Sequence, residues 1–326
     1  MGKGKKPPKT FPGTYFENLK KVVMEKICSN CSACVAACPK GLRVVDISKT
    51  PDFPEWADDC SDCGFCVRAC PRWNYSPLSG VGSFVRALAM KSRRFDGQDG
   101  AMVTEILVSA MEAGLIDRAL VVGRDENWRP VAYIANSEDE IVRASGTKYS
   151  HAYPLSALKG LRGKGGERIA VVGTPCVVSG IRNLQREFGK FARKVTLVVG
   201  LFCMENFYYP DLSGFLREKG VDIGSVEKMD IKKGKFMVYP QNVSFPVKEL
   251  DEIVPPGCKV CQDFTAVESD ISVGSVGSPD GYSTVIVRNP ALNSLIDSMT
   301  DVEVGEVKLE VVEKLANFKV KIHSIH

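Results

Sequence analysis

From about residue 80 onward, helix-like and strand-like spacings of apolar residues alternate along the chain. Residues 101–113 repeat their apolar positions every three or four residues and stop at Gly114, which predicts a helix with a glycine C-terminal cap. Residues 118–124 and 131–135 predict strands. The runs 168–172 and 194–199 are short and β-branched, which suits strands covered on both faces. Between them a helix is predicted over about 177–188. Ser137, Glu138 and Glu140 form a capping-box start for a short helix. Later strands are predicted at 225–231, 235–239, 271–273 and 283–287, and residues 290–326 predict one helix and one or two strands. The fold class is α/β (α+β), a mixed sheet with antiparallel additions.

The first quarter of the chain follows a different rule, set by cysteines. Residues 1–13 are rich in Gly, Lys and Pro and predict a flexible basic arm. Residues 14–76 hold eight cysteines, and residues 80–326 hold four. The run of turn formers at 76–80, with Pro77 and Gly80, marks the boundary. Residues 28–39 match residues 60–71 at an offset of 32, with eight of twelve positions identical. Such a duplication implies two equivalent sites. Each copy reads Cys-x2-Cys-x2-Cys-x3-Cys-Pro, the spacing of a bacterial-type 2[4Fe-4S] ferredoxin domain. Three close thiolates wrap one cluster, and the fourth is carried by the turn at Pro to the other. One site is therefore expected at Cys28, Cys31, Cys34 and Cys70, and the other at Cys60, Cys63, Cys66 and Cys38. Structural zinc prefers cysteine pairs separated by a longer loop and has no use for this doubled run.

Composition narrows the function classes. The chain has 326 residues, 44% hydrophobic and 25% charged, which is globular rather than disordered. Its formal charge of +4 comes from 43 basic against 39 acidic residues. Lys3, Lys5, Lys6 and Lys9 precede every acidic residue, so the remainder is balanced and nucleic-acid binding is not expected. No apolar run approaches the ~20 residues of a membrane span, and no apolar segment follows the basic start as a secretory signal would require. The expected location is cytoplasmic, where the cysteines serve as metal ligands or thiols rather than as a disulfide framework.

The last four cysteines are Cys176, Cys203 and the pair Cys258 and Cys261. Cys176 and Cys203 each follow a predicted parallel strand, and such strand ends share the sheet edge where ligands bind. Spacing alone leaves three readings open: buried apolar thiols, a zinc site, or a third cluster. No Gly-x-Gly-x-x-Gly opens a helix after a strand, and residues 160–166 fit neither that pattern nor a P-loop. Glycine-rich turns do occur at 97–100, 145–149 and 274–281. The first opens a helix, where free N–H groups attract a phosphate or a flavin carbonyl.

Residues 97–104, 144–150, 173–176, 200–203, 258–261, 270–277 and 283–288, taken in order, resemble the family of coenzyme F420 hydrogenase and dehydrogenase beta subunits. The resemblance implies FAD and a [4Fe-4S] cluster in the domain at 80–326, with Cys176, Cys203, Cys258 and Cys261 as the cluster's ligands. Three clusters in all are then expected. The resemblance also implies flavin contacts from Gly97, Gln98, Asp99, Gly100 and Thr104, from Lys148 and Tyr149, from Thr174 and Pro175, and from Gly274 and Gly277.

The implied reaction is hydride exchange between coenzyme F420 and FAD, which needs no catalytic side chain. The flavin turns a pair of electrons into single ones for the clusters. With the ferredoxin segment in front, the chain looks most like the electron-input subunit of an F420H2 dehydrogenase that serves respiration. It is then expected to work with redox partner subunits of a larger complex, free in the cytoplasm or on the cytoplasmic face of a membrane. The alternatives are a beta subunit of an F420-reducing hydrogenase, formate dehydrogenase or heterodisulfide-reductase complex, and, from another class, a flavin-free polyferredoxin carrier. Lys148, Arg124, Arg143 and Arg182 are candidates for the basic lining of the substrate pocket, against the plainer reading of solvated charges. His151, following Lys148 and Tyr149, reads as a structural surface residue, with a place near the flavin as the alternative. Loaded with its cofactors, the protein would carry about −4 rather than +4.

Overall fold

The computed structural model describes residues 15–40, 60–160 and 166–323. The basic arm, with Lys3, Lys5, Lys6 and Lys9, lies outside the described residues.

The elements run in the order α1 (Tyr15–Met24), α2 (Ala33–Ala37), α3 (Phe65–Ala69), β1 (Arg86–Ser92), α4 (Met102–Glu112), β2 (Arg118–Arg124), β3 (Pro130–Ala135), α5 (Glu138–Arg143), β4 (Ile169–Gly173), α6 (Pro175–Glu187), α7 (Gly189–Lys194) and β5 (Val195–Leu201). They continue with α8 (Tyr209–Glu218), β6 (Lys228–Lys232), β7 (Lys235–Tyr239), β8 (Val243–Pro246), α9 (Pro256–Lys259), β9 (Ile271–Gly274), β10 (Ser283–Val287), α10 (Asn293–Ser298), β11 (Val302–Gly305) and α11 (Leu309–Ile322).

Eight strands form one sheet in the order β11-β1-β10-β9-β5-β4-β2-β3. Its centre, β2, β4, β5 and β9, is parallel, and both flanks are antiparallel. Successive side chains on a strand face opposite ways, and both faces are covered. Ala119, Val121, Ala170, Val172, Leu197 and Val199 face the core built with α4, α5 and α10. Leu120, Val171 and Val198 face the other core, with α6 and α7. Burial on both sides explains why these strands read as continuous apolar runs.

The cysteine-rich segment is built into this second layer. Ala33, Ala36, Ala37 and Ala69 belong to the same core as α6. Gly180 in α6 makes the approach possible, because a Cβ there would sit 3.2 Å from the Cys31 sulfur and 3.3 Å from the Ala33 Cβ. A separate three-stranded meander, β6-β7-β8, packs on α8 around Phe236, Phe245 and Leu216.

Several boundaries differ from expectation. The helix predicted from 177 begins at Pro175, because proline suits the first turn, where its missing N–H leaves no partner unsatisfied. The strand predicted at 225–231 is confined to Lys228–Lys232, since the Asp222 side chain caps a 3-10 turn at Ile223–Ser225. Among its described residues the last segment gives two α-helices and one strand. β1 and β8 lacked a clear alternating pattern; β1 is specified by its antiparallel partners β10 and β11.

Candidate functional site

The structure gathers the twelve cysteines into three groups of four. Cys28, Cys31, Cys34 and Cys70 line one small cavity with Ser32 and Arg72. The Cys66 thiol is pushed up to about 12, mainly by burial and further by the thiolates of Cys38, Cys60 and Cys63, which places those four together. Cys203 is raised well above the ordinary thiol range by burial, with Cys258, Cys176 and Cys261 adding to the shift. Burial also raises Cys258 to about 12. In Cys261 burial works the same way, but Lys319 and Arg72 outweigh it and hold the thiol below the usual range. Ligand binding must expel these protons.

Local backbone makes the two ferredoxin-like groups. The residue before α2, Ser32, has φ 60° and its counterpart before α3, Gly64, has φ 74°. This left-handed step turns the chain sharply between the second and third cysteines of each run. Among the described residues no three His, Cys, Asp or Glu side chains converge where one ion would sit.

The first and third groups are neighbours. The Cys176 sulfur lies 3.7 Å from the Ser29 carbonyl. A Cβ on Gly257 would sit 1.9 Å from the Cys28 carbonyl oxygen, so only glycine lets the turn before Cys258 approach the first group. The first and second groups also adjoin, since Cys34 senses Cys66 as well as its own partners.

The third group is held at one sheet edge. Gly173 pairs with Gly200 and Leu201 with Val273, so the carboxyl ends of β4, β5 and β9 coincide. Cys176 follows β4 in the first turn of α6, and Cys203 follows β5. α9 carries Cys258 over the same edge. Lys319 of α11 is buried and its Nζ donates to the carbonyls of Cys203 (2.6 Å) and Asp263 (2.8 Å). Nothing in the sequence marked Lys319, which is 58 residues beyond Cys261. Arg72, directly after Cys70 and Pro71, did carry a signal in its position.

The expected flavin contacts fall along this edge. Gly97 abuts Ser145, where a Cβ would lie 2.7 Å from its Oγ, so the turns at 97–100 and 145–149 meet. Gln98 donates through Nε2 to Asp230 (2.7 Å), and its Oε1 is buried without a partner. Asp99 is raised by burial, against the pull of Lys232 at 3.3 Å. α4 opens at Ala101 with no side-chain cap. Gly100 is pinned, because a Cβ would meet the Met90 carbonyl at 2.3 Å.

Lys148 donates its Nζ to the carbonyls of Ala144, Ser145 (2.9 Å) and Gly146 (2.8 Å), while burial and Arg124 lower it to about 7. Tyr149 packs edge-on against Phe236 at 5.4 Å. Thr174 lies beside Cys176, its Oγ1 3.3 Å from the sulfur, ahead of Pro175. Thr104 is buried in α4. Gly274 and Gly277 have packing roles: a Cβ would strike Phe202 at 2.2 Å and Val312 at 2.7 Å, respectively. The uncapped helix start suits an anionic group, and the orphaned Gln98 oxygen, an acceptor, suits an N–H donor of a planar cofactor.

Two expectations are corrected. His151 is buried, not on the surface. Its Nε2 lies 3.8 Å from the Cys258 sulfur, and burial lowers it to about 4, so the ring is neutral. Arg182 lines no pocket at this edge, because it pairs with Asp270 (2.9 Å) just before β9, at the opposite edge. Arg143 is exposed, beside Glu140 at 3.9 Å, and Arg124 lies over the Trp128 ring at 4.1 Å. Among the described residues no helix is long and apolar enough to cross a membrane.

The chain is similar to known proteins. Residues 85–159 and 166–313 match the N-terminal and C-terminal family models of the coenzyme F420 hydrogenase/dehydrogenase beta subunit, and residues 27–75 match a 4Fe-4S dicluster domain. A subunit of the F(420)H(2) dehydrogenase of Methanosarcina mazei is 31% identical, with 94% of this chain and 93% of that one covered. The coenzyme F420-dependent sulfite reductase of Methanocaldococcus jannaschii is 36% identical over 94% of this chain, which spans about half (51%) of that relative's length. A chain of the xenon-derivatised F420-reducing [NiFe] hydrogenase complex from Methanosarcina barkeri superposes with a TM-score of 0.71, at 33% identity, covering 76% of this chain and 92% of that one.

Proposed function

The chain belongs to the family of coenzyme F420 hydrogenase/dehydrogenase beta subunits, and on that premise we propose that it is an FAD- and iron–sulfur-dependent oxidoreductase subunit. It exchanges a hydride with coenzyme F420 at the carboxyl edge of the large sheet and passes electrons singly through three [4Fe-4S] clusters to a partner subunit. The M. mazei relative and this chain each cover more than nine tenths of the other, ferredoxin-like segment included, whereas the sulfite reductase is about twice as long, which favours oxidation of F420H2 for a respiratory complex. The observation that carries the reading is the third cysteine group: it stands between the glycine-rich edge and the first ferredoxin-type group.

A bound FAD supplies the conversion of a hydride into two single electrons, and the clusters carry these onward. The protein's own residues bind, orient and shield. The first turn of α4 and Gln98 offer hydrogen-bonding groups to the cofactor, and Gly100 keeps that turn tight. Lys148 fixes the 144–146 turn against Gly97. The buried, neutral His151, its Nε2 3.8 Å from the Cys258 sulfur, and the Tyr208 ring, 5.5 Å from His151, pack beside Cys258. Cys176, Cys203, Cys258 and Cys261 hold the cluster nearest the edge, and Cys28, Cys31, Cys34 and Cys70 hold the next.

The test is the anaerobically reconstituted full chain. It should yield extractable flavin and about 12 iron atoms per chain, and reduced F420 but not NADH should bleach it. Absence of flavin would leave a polyferredoxin carrier in its place. Full iron retention by Cys176→Ser would remove Cys176 from the ligand set.

A further inference from the structure

Arg72 is 3% exposed, and the acidic groups nearest it are the Cys261 thiol, the Tyr75 phenol and the thiols of Cys176 and Cys258 rather than a carboxylate. It lines the cavity among Cys28, Cys31, Cys34 and Cys70. Its Nη2 donates to the Gly257 carbonyl at 3.2 Å, in the turn that carries Cys258. Its guanidinium lies over the Tyr75 ring at 4.1 Å. Its Nη1 is buried with no hydrogen-bond partner. A buried guanidinium with an unused donor is unfavourable unless something accepts from it. The corresponding position of the first repeat, 32 residues earlier, is Lys40, which is exposed.

We propose that Arg72 is a positioning residue shared by two cluster sites. Its Nη1 donates to a sulfur of the cluster held by Cys28, Cys31, Cys34 and Cys70. Its Nη2 ties in the turn of the cluster held by Cys176, Cys203, Cys258 and Cys261. Reduction adds one electron to a cluster and makes or breaks no bond, so a nearby cation stabilises the reduced form. Hydrogen bonds to cluster sulfurs act in the same direction, and a low local dielectric strengthens both effects. Arg72 therefore raises the potentials of these two inner clusters relative to the outer one at Cys38, Cys60, Cys63 and Cys66. The proposal rests on the three-cluster reading above.

The experiment compares the anaerobically reconstituted full-length protein with Arg72→Gln and Arg72→Lys, by iron and sulfide content and by EPR-monitored redox titration. In Arg72→Gln, iron is expected to be retained. At a fixed ambient potential the reduced-to-oxidised ratio of the two inner clusters should fall about tenfold, or ~59 mV for a one-electron couple. The outer cluster should not move, and Arg72→Lys should recover most of the shift. Unchanged potentials in an iron-replete Arg72→Gln would overturn the proposal. If Arg72→Gln loses inner-site iron, Arg72→Lys decides. Restored iron with wild-type potentials supports the role, whereas equal loss marks Arg72 as mere packing and overturns it. Unaltered protein holding only about 8 iron atoms per chain would sink the three-cluster reading itself, and the shared role with it.

Discussion

The two copies of the cysteine repeat are nearly the same text set in different surroundings. In the first copy, the left-handed residue Ser32 donates to the Tyr153 carbonyl at 2.6 Å and accepts from the Ser156 N–H at 2.8 Å, which binds the loop to the large domain. In the second, Gly64 makes the same turn with no side chain to anchor. Three cysteines of the first copy join Cys70 beside the third group, with Arg72 between them. The other group, with Cys38, keeps Cys63 exposed. Equal cysteine sets thus acquire unequal solvation and unequal neighbouring charge, quantities that tune the potentials of clusters.

The contrast can be broken at its tightest point. Gly257→Ala must force the third group away from Cys28, at a cost on the order of 3 kcal/mol in denaturant unfolding. Iron should be lost from the two inner groups while the outer one still loads. Lys319→Met should follow, at about 2 kcal/mol, because the buried carbonyls of Cys203 and Asp263 lose their donor. Its iron should fall from about 12 to about 8 atoms per chain.

A paired test separates entry from exit. Cys63→Ser and Cys176→Ser should each cost about four iron atoms. Cys63→Ser should leave bleaching of the flavin and inner clusters by reduced F420 intact, whereas Cys176→Ser should stop electrons before the first group; equal outcomes would erase the inner–outer distinction. Lys148→Met should weaken flavin retention about tenfold, or ~1.4 kcal/mol, with iron unchanged; flavin extraction reads the effect. The smallest effect lies away from all three groups. Arg168, by side-chain and backbone bonds, holds Asp117 down to about 2. A carboxylate depressed from an unfolded value near 3.9 adds stability above about pH 4 and loses it as pH falls toward 2. Asp117→Asn should therefore lose stability at neutral pH but lack this part of the acid transition, with cluster loading unaffected.

Much of this was legible in advance. The partition of the first eight cysteines followed from spacing, because the turn at each Pro carries the fourth cysteine away. Strand ends placed Cys176 and Cys203 on one edge. β1 escaped notice because its pattern is incomplete without β10 and β11. His151 was misread because one histidine in a polar stretch gives no sign of what will cover it. Arg182 was misassigned because a charge shows nothing of its partner, here Asp270, 88 residues on.

The sequence by itself determined the spacing of the cysteines, their grouping in the ferredoxin-type run and the alternation that builds a parallel-centred sheet. These are consequences of local spacing and backbone geometry, enforced by covalent connection. The tertiary structure decided which of two equal sites is wrapped by protein, that Lys319 and Arg72 stand beside the third group, and that glycine-rich turns far apart in the chain form one edge. Desolvation and Coulomb fields depend on whatever packs within a few ångströms, and those neighbours come from segments dozens to hundreds of residues away.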